Sequence, residues 1–225
     1  MKTTSILAGA ALAALATVAL AQPPAGGAGR PPAGGGGARP PALVVEKDPS
    51  KIRAGAYVVE PDHTRLMFGI SHKGFTTFYG EFRQLTGTLK LDPKNPAAST
   101  FDLKVPVTTI STQIEKLNEE LRHKPWLDAD TYPTIEFKST SVKPTSPTEA
   151  DVTGDFTFHG QTHPLTLHVK FNAAGDDPQD KYYVAGFTVS GAFKRSDWGF
   201  GFAAPMIGDD VQLIIQAAFK IPAGA

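Results

Sequence analysis

The stretch Leu165-Thr166-Leu167-His168-Val169-Lys170-Phe171 alternates apolar and polar side chains without a break. Successive side chains of a strand point to opposite faces, so Leu165, Leu167, Val169 and Phe171 share one face and Thr166, His168 and Lys170 the other. Phe187-Thr188-Val189-Ser190-Gly191-Ala192-Phe193 repeats the pattern. Upstream, Leu66, Phe68 and Ile70 alternate with Met67, Gly69 and Ser71, and Phe101, Leu103, Val105 and Val107 alternate with Asp102, Lys104 and Pro106. The same rhythm runs through Ile135-Glu136-Phe137-Lys138, Gly154-Asp155-Phe156-Thr157-Phe158 and Val211 to Phe219. Turn formers punctuate these runs at Asp92-Pro93-Lys94-Asn95-Pro96, His159-Gly160-Gln161-Thr162 and Gly175-Asp176-Asp177-Pro178-Gln179-Asp180. The pattern predicts an all-β domain of roughly eight strands joined mostly as hairpins, either a closed antiparallel barrel or a sandwich.

One segment has a different period. Between Thr112 and Lys124 the apolar residues Ile114, Leu117 and Leu121 recur at helical spacing, with Glu115, Lys116, Glu119 and Glu120 between them. Thr112 and Glu115 form a capping-box pair, and Pro125 ends the helix. Trp126 and Leu127 follow as apolar plugs. Such a short amphipathic helix either shields the core at one barrel end or serves as a lid over a ligand mouth.

Ahead of these elements the composition changes twice. Lys2, the apolar run Ile6 to Leu20 and the small residues around Ala21 make a secretory signal peptide over 1–21, cleaved after Ala21. The run is short for a membrane span and lacks a stop-transfer cluster of Lys or Arg. Residues 22–53 begin with almost nothing but Pro, Gly and Ala, which cannot offset the entropy of ordering a backbone, so a disordered spacer is expected there. The folded domain is expected over 54–225. Export predicts a periplasmic protein. With no cysteine in the chain, disulfides, thiol catalysis and cysteine metal sites are excluded. The 22 cations balance 22 anions, which speaks against nucleic acid and against a strongly anionic membrane surface as partners. No stable membrane insertion is expected, and a homodimer stays open.

Several ordered motifs resemble the YceI-like family of periplasmic polyisoprenoid-binding proteins. They begin with Pro61-Asp62-His63-Thr64 leading into Leu66-Met67-Phe68-Gly69-Ile70-Ser71-His72, then Tyr79-Gly80-Glu81-Phe82 and Leu85-Thr86-Gly87-Thr88-Leu89. Further on come Tyr132-Pro133-Thr134-Ile135-Glu136-Phe137-Lys138-Ser139, Val152-Thr153-Gly154-Asp155-Phe156-Thr157-Phe158-His159-Gly160 and Lys194-Arg195-Ser196-Asp197-Trp198-Gly199. The resemblance runs from Tyr57 to about Ile221. It implies a lipocalin-like antiparallel β-barrel whose interior holds an isoprenoid or related long-chain amphiphile, with no catalysis and no cofactor. Glu120 stands where the family often carries His, and Pro125 where it often carries Asp, so headgroup contacts from the helix are not carried over.

Under this reading the ligand-binding candidates are Phe68, Ile70, His72, Leu103, Val105, Phe137, Phe156, Phe158, Leu167, Phe187, Phe193, Trp198 and Leu213. Gly69, Gly154, Ala185 and Gly191 supply gaps among the large side chains. Burying hydrocarbon gains about 0.8 kcal/mol per methylene, so a chain of ten carbons gains about 8 kcal/mol gross, much of it offset by association costs. His72 continues the apolar face of its strand and is the leading headgroup donor, against a purely structural role. Arg195 is expected to pair with Asp197, or else to meet a phosphate.

Two rival readings remain. An exposed loop of a barrel with a filled core would make an interaction module, because alternation reports one buried face and not a void. His159, His163 and His168 suggest a histidine metal enzyme, but His159 and His163 would share a face only on a helix, and Gly160 and Pro164 argue for a hairpin. No Gly-x-Ser-x-Gly elbow occurs. Gly199-Phe200-Gly201-Phe202-Ala203-Ala204 mimics a dinucleotide fingerprint without a βαβ unit and is expected to be a glycine-kinked strand.

Overall fold

The computed structural model describes residues 44–222; the expected signal peptide and most of the expected spacer lie outside them. Ten strands are described: β1 (Gly55–Val59), β2 (Arg65–His72), β3 (Thr76–Phe82), β4 (Thr86–Leu91), β5 (Thr100–Pro106), β6 (Thr134–Ser146), β7 (Glu149–Phe158), β8 (Gln161–Asp176), β9 (Tyr182–Lys194) and β10 (Ile207–Pro222). One α-helix among the described residues, α1 (Glu115–Arg122), lies in the crossover between β5 and β6.

All pairings are antiparallel, in the order β1-β4-β5-β6-β7-β8-β9-β10, and β10 pairs back with β1. That closes an eight-stranded barrel, as expected, and closure removes the exposed edges an open sheet would present. β8 and β10 have 16 residues each, where ordinary strands have about five or six, so the barrel is long for its strand number. The alternating faces fall as predicted: Leu165, Leu167, Phe171, Val211, Leu213, Ile215, Ala217 and Phe219 are all buried.

β10 is long enough to pair with two strands along one edge. Its C-terminal part holds β1, with Val59 opposite Phe219, and its N-terminal part holds β2, with Arg65 opposite Gln216. Between them the chain loops out at residues 60–64 and Thr64, fully buried, fills the gap. The Ala218 N–H donates to Thr64 Oγ1 at 3.0 Å, and the Ala218 carbonyl accepts from the Glu60 N–H at 2.8 Å and from the Thr64 hydroxyl at 3.2 Å. One side chain thus replaces a missing strand residue and leaves no orphaned backbone group. Glu60 holds the loop by accepting from the N–H of Asp62 and His63 and from the His63 ring.

This fork divides the barrel into two ends. At one end β1 continues through β4 into the ring. At the other, the β2–β3 hairpin extends the sheet from β10 and the crossover carrying α1 closes the wall, with Ser111 and Glu81 exchanging backbone bonds of 2.8 and 2.9 Å.

Four expectations need correction. The ordered chain starts before residue 54: Glu46 pairs with Ala174, Ile52 is buried, and Arg53 meets Asp176 at 3.0 Å and lies 4.3 Å over the Tyr183 ring. Once the Pro/Gly/Ala run gives way to larger side chains, the segment has surface to bury. The helix is shorter than Thr112–Lys124 and has no capping box. Asn118 Oδ1 instead accepts from the Thr112 N–H at 2.7 Å and from its hydroxyl at 2.8 Å, so both polar residues are satisfied while buried. Residues 199–206 form turns and no strand. The strand expected from Val211 to Phe219 starts earlier, and β10 already includes Asp209 and Asp210. The His159-Gly160 turn is as expected: both have positive φ, 50° and 76°, as a two-residue hairpin of the twisted type requires.

Candidate ligand-binding site

At the helix end lies a hollow of about 360 Å³, within the size range of small-molecule sites. β2 contributes Leu66, Phe68, Ile70 and His72, and β3 contributes Phe78 and Phe82. The crossover covers it with Ile110, Leu117, Leu121, Trp126 and Leu127, so the apolar stripe of α1 is part of the wall. Ile135, Phe156, Phe158, Phe193, Phe200, Val211 and Leu213 complete it.

His72 and Arg195 are the ionisable residues of this lining, and they differ in availability. Arg195 is 1% exposed. Its Nε donates to the Gly208 carbonyl at 2.8 Å, Nη1 to Phe200 at 2.8 Å and Nη2 to Ile207 at 2.9 Å, and the guanidinium lies over the Phe200 ring. Burial lowers its pKa, and the nearby Asp209 carboxylate opposes that shift. Arg195 therefore does not pair with Asp197 as expected. It fastens both ends of the 199–206 loop, and those bonds take up three of its nitrogens. His72 is only half-buried at the end of β2, where its ring can reach a polar group at the mouth.

A second hollow of about 450 Å³ occupies the far end, walled by Leu89, Leu91, Phe101, Leu103, Val142, Val152, Val169, Phe171, Phe187, Val189, Ile215, Ala217 and Phe219. Asp48, Asp92 and Glu149 stand at its rim, and neither Lys nor Arg is among its lining residues.

The two hollows share no lining residue. Along β7, Gly154 separates Val152 of the far wall from Phe156 of the helix-end wall; along β9, Gly191 separates Val189 from Phe193. A Cβ on Gly154 would lie 2.5 Å from the Phe137 ring, and one on Gly191 would lie 2.5 Å from Leu167 Cδ2. Phe137 and Leu167 thus fill the space these glycines leave and form a waist across the barrel. The gaps expected at Gly154 and Gly191 exist in the backbone, but Phe137 and Leu167 occupy them.

Of the thirteen expected ligand-binding residues, Phe68, Ile70, His72, Phe156, Phe158, Phe193 and Leu213 line the helix-end hollow, and Leu103 and Phe187 the far one. Phe137 and Leu167 stand at the waist. Val105 and Trp198 face neither hollow. Trp198 belongs to a single tight helical turn, Arg195–Trp198, where its indole donates to the Phe156 carbonyl at 3.0 Å. Its ring stands edge-on to Phe156 and Phe193 at 5.4 and 5.1 Å and so braces the wall. Sequence reasoning missed Phe78 and Phe82, which alternate with Tyr79 and Glu81, as well as Ile110, Phe200 and Ile207, which carry no periodic signal.

The three histidines of the metal reading do not converge. His159 packs on Tyr132 and Phe200, with ring centroids 4.3 and 5.0 Å away, and burial lowers its pKa. His163 meets Trp198 and Gln161, and His168 pairs with Asp151 at 3.1 Å on the outer face. Among the described residues, no group of three or more His, Asp or Glu is placed to hold a metal ion.

Fold and site together define a lipocalin-like β-barrel with an apolar interior divided at mid-length. A model of the YceI-like domain matches residues 57–219, and the chain belongs to that family. It is 36% identical over 157 residues to Protein YceI of Shigella flexneri, covering 70% of this chain and 81% of that protein. It is 34% identical over 154 residues to a UPF0312 protein of Pseudomonas savastanoi pv. phaseolicola, covering 68% and 80%. Among solved structures, Burkholderia cenocepacia BcnA aligns with a TM-score of 0.65 at 21% identity, over 71% of this chain and 98% of that one. A polyisoprenoid binding domain from Saccharophagus degradans aligns at 0.52 with 15% identity, over 76% of this chain and all of that one. These two structural likenesses speak to the fold.

Proposed function

We propose that the protein is a carrier for a long-chain amphiphile of isoprenoid type, whose hydrocarbon enters the helix-end hollow while its headgroup stays near His72. The observation that carries this reading is the hollow itself: an unfilled space with walls of Leu, Ile and Phe inside a closed sheet. An apolar void bounded this way loses dispersion contacts along its lining, and a hydrocarbon guest restores them. The polyisoprenoid binding named for the Saccharophagus degradans domain agrees with it. No bond is made or broken, and the barrel protects the chain from water. The signal-peptide grammar of residues 1–21 supports a periplasmic carrier with a mature N-terminus at Gln22.

Native mass spectrometry of protein purified without detergent is the test. The expected result is a mass above that of the chain, released as an apolar lipid. Leu213→Trp, which fills the hollow without adding charge, is expected to stay folded and return the bare chain mass. Bare mass for the native protein, with no uptake of added polyprenyl ligands, overturns the reading. Protein recovered with the cytoplasmic fraction, residues 1–21 still attached, overturns the placement.

A further inference from the structure

Loop tips of most proteins are polar, because they surround themselves with water. Here three loop side chains break that rule together. Phe75, at the tip of the β2–β3 hairpin, is 85% exposed, Met206 60% and Phe202 45%. They come from separate parts of the chain yet are tied to one another. The Lys73 N–H donates to the Met206 carbonyl at 2.6 Å, joining hairpin to loop, and the Phe202 ring stands edge-on to Trp126 at 4.8 Å, joining loop to crossover. Arg195 fixes the carbonyls of Phe200 and Ile207, so the loop that carries Phe202 and Met206 is held at both ends.

Two observations say what covers this rim. First, it is continuous with the helix-end hollow: His72, Phe200 and Ile207 line the hollow and lie within three residues of Phe75, Phe202 and Met206 in the chain, and Trp126, also of the lining, touches the Phe202 ring. Second, segments 73–76, 124–127 and 199–206 carry Lys73 and Lys124 and no carboxylate of their own, the nearest being Glu120, which accepts from the Trp126 indole at 3.0 Å, whereas Asp48, Asp92 and Glu149 surround the far mouth. Lys124 also reaches Asp128 at 3.5 Å, with its side chain 77% exposed. Aromatic and Met side chains flanked by lysine suit the headgroup layer of a bilayer, where apolar rings sink in and ammonium groups stay among phosphates.

We propose that this rim is a reversible membrane-docking surface. Phe75, Phe202 and Met206 enter the interfacial layer of a phospholipid bilayer, so that the hollow opens onto lipid and its guest passes between the two without crossing water. The proposal rests on the carrier reading for its purpose, but its test is independent. The balanced total charge of the chain is no obstacle, since apolar insertion supplies the main attraction and the two lysines a lesser one.

The experiment is co-flotation of the purified protein with vesicles of phosphatidylethanolamine and phosphatidylglycerol, beside uptake of a polyprenyl alcohol delivered in detergent micelles. The native protein is expected to float with vesicles. The triple variant Phe75→Ser, Phe202→Ser, Met206→Ser is expected to lose about tenfold or more of that binding, while keeping its thermal midpoint and its uptake from micelles. Lys73→Gln with Lys124→Gln is expected to lose about fivefold or more, and only when phosphatidylglycerol is present. A native protein that does not float, or a triple variant that floats equally well, overturns docking and leaves the rim to a protein partner. Failed uptake by a protein that still floats overturns the carrier reading instead.

Discussion

The two ends of this barrel are built from the same alternating strands, yet they present opposite surfaces. The helix end opens through Phe75, Phe202 and Met206 beside two lysines, whereas the far end opens between Asp48, Asp92, Glu149 and a row of prolines. Mid-length, Phe137 on Gly154 and Leu167 on Gly191 keep the interiors apart. A closed sheet therefore specifies a container, and the loops and a few glycines decide which end takes a guest and how deep it goes.

The largest expected effect separates the ends directly. Phe156→Asp places a carboxylate in the helix-end wall and is expected to abolish lipid retention, whereas Phe187→Asp does the same in the far wall and leaves a chain in the helix end in place. Mass spectrometry of the two variants reads the difference, with circular dichroism confirming the fold. Next comes the waist. Phe137→Ala is expected to cost about 3–5 kcal/mol by urea unfolding, and to let a longer chain be held because the two hollows become one. Gly154→Ala acts oppositely: its Cβ would meet the Lys138 carbonyl oxygen and the Phe137 ring at 2.5 Å, so about 1–3 kcal/mol is lost without any gain in capacity.

Smaller effects sharpen the picture. Arg195→Met leaves three carbonyls, that of Phe200 buried and those of Ile207 and Gly208 part-buried, without their donor and is expected to cost about 3 kcal/mol, with faster amide exchange in the 199–206 loop than at the far end. The least is expected at the fork. Burial pulls the Glu60 carboxyl up, but the N–H groups of His63 and Asp62 and the His63 ring together outweigh it and hold the pKa below the usual carboxylate range. A depressed folded pKa stabilises above the unfolded value and ceases to do so as pH falls through the folded one. Glu60→Gln is therefore expected to lose about 1 kcal/mol at neutral pH, a difference that shrinks below about pH 4.

The strand faces and the helical cover were legible in the sequence because each rests on local periodicity, whereas closure into a barrel came from the family resemblance, since the alternation suits a sandwich equally well. Leu167 and Phe156 sit at equivalent points of that rhythm, however, and only one lines a hollow. What separates them is the glycine on an adjacent strand into which Leu167 fits, a matter of register that alternation does not encode. The fork was illegible for a similar reason: Pro61-Asp62-His63-Thr64 reads as a turn, and the partner of Thr64 lies 154 residues away at Ala218. Trp198 was misplaced because the strand rhythm of β9 ends just before it, in a tight turn that packs the indole against Phe156 and Phe193 without exposing it to the hollow. Arg195 was misjudged because its partners are backbone carbonyls, which no residue type announces.

The most direct measurement is isotope-filtered NMR on protein loaded with a labelled polyprenyl chain. Contacts from the chain to methyls of Leu66, Leu121 and Leu213 are the predicted result. A loaded protein whose chain touches none of them, lying instead against the outer strands or only among Leu103, Val152 and Val169, would contradict the assignment of the helix-end hollow as the place where hydrocarbon is held.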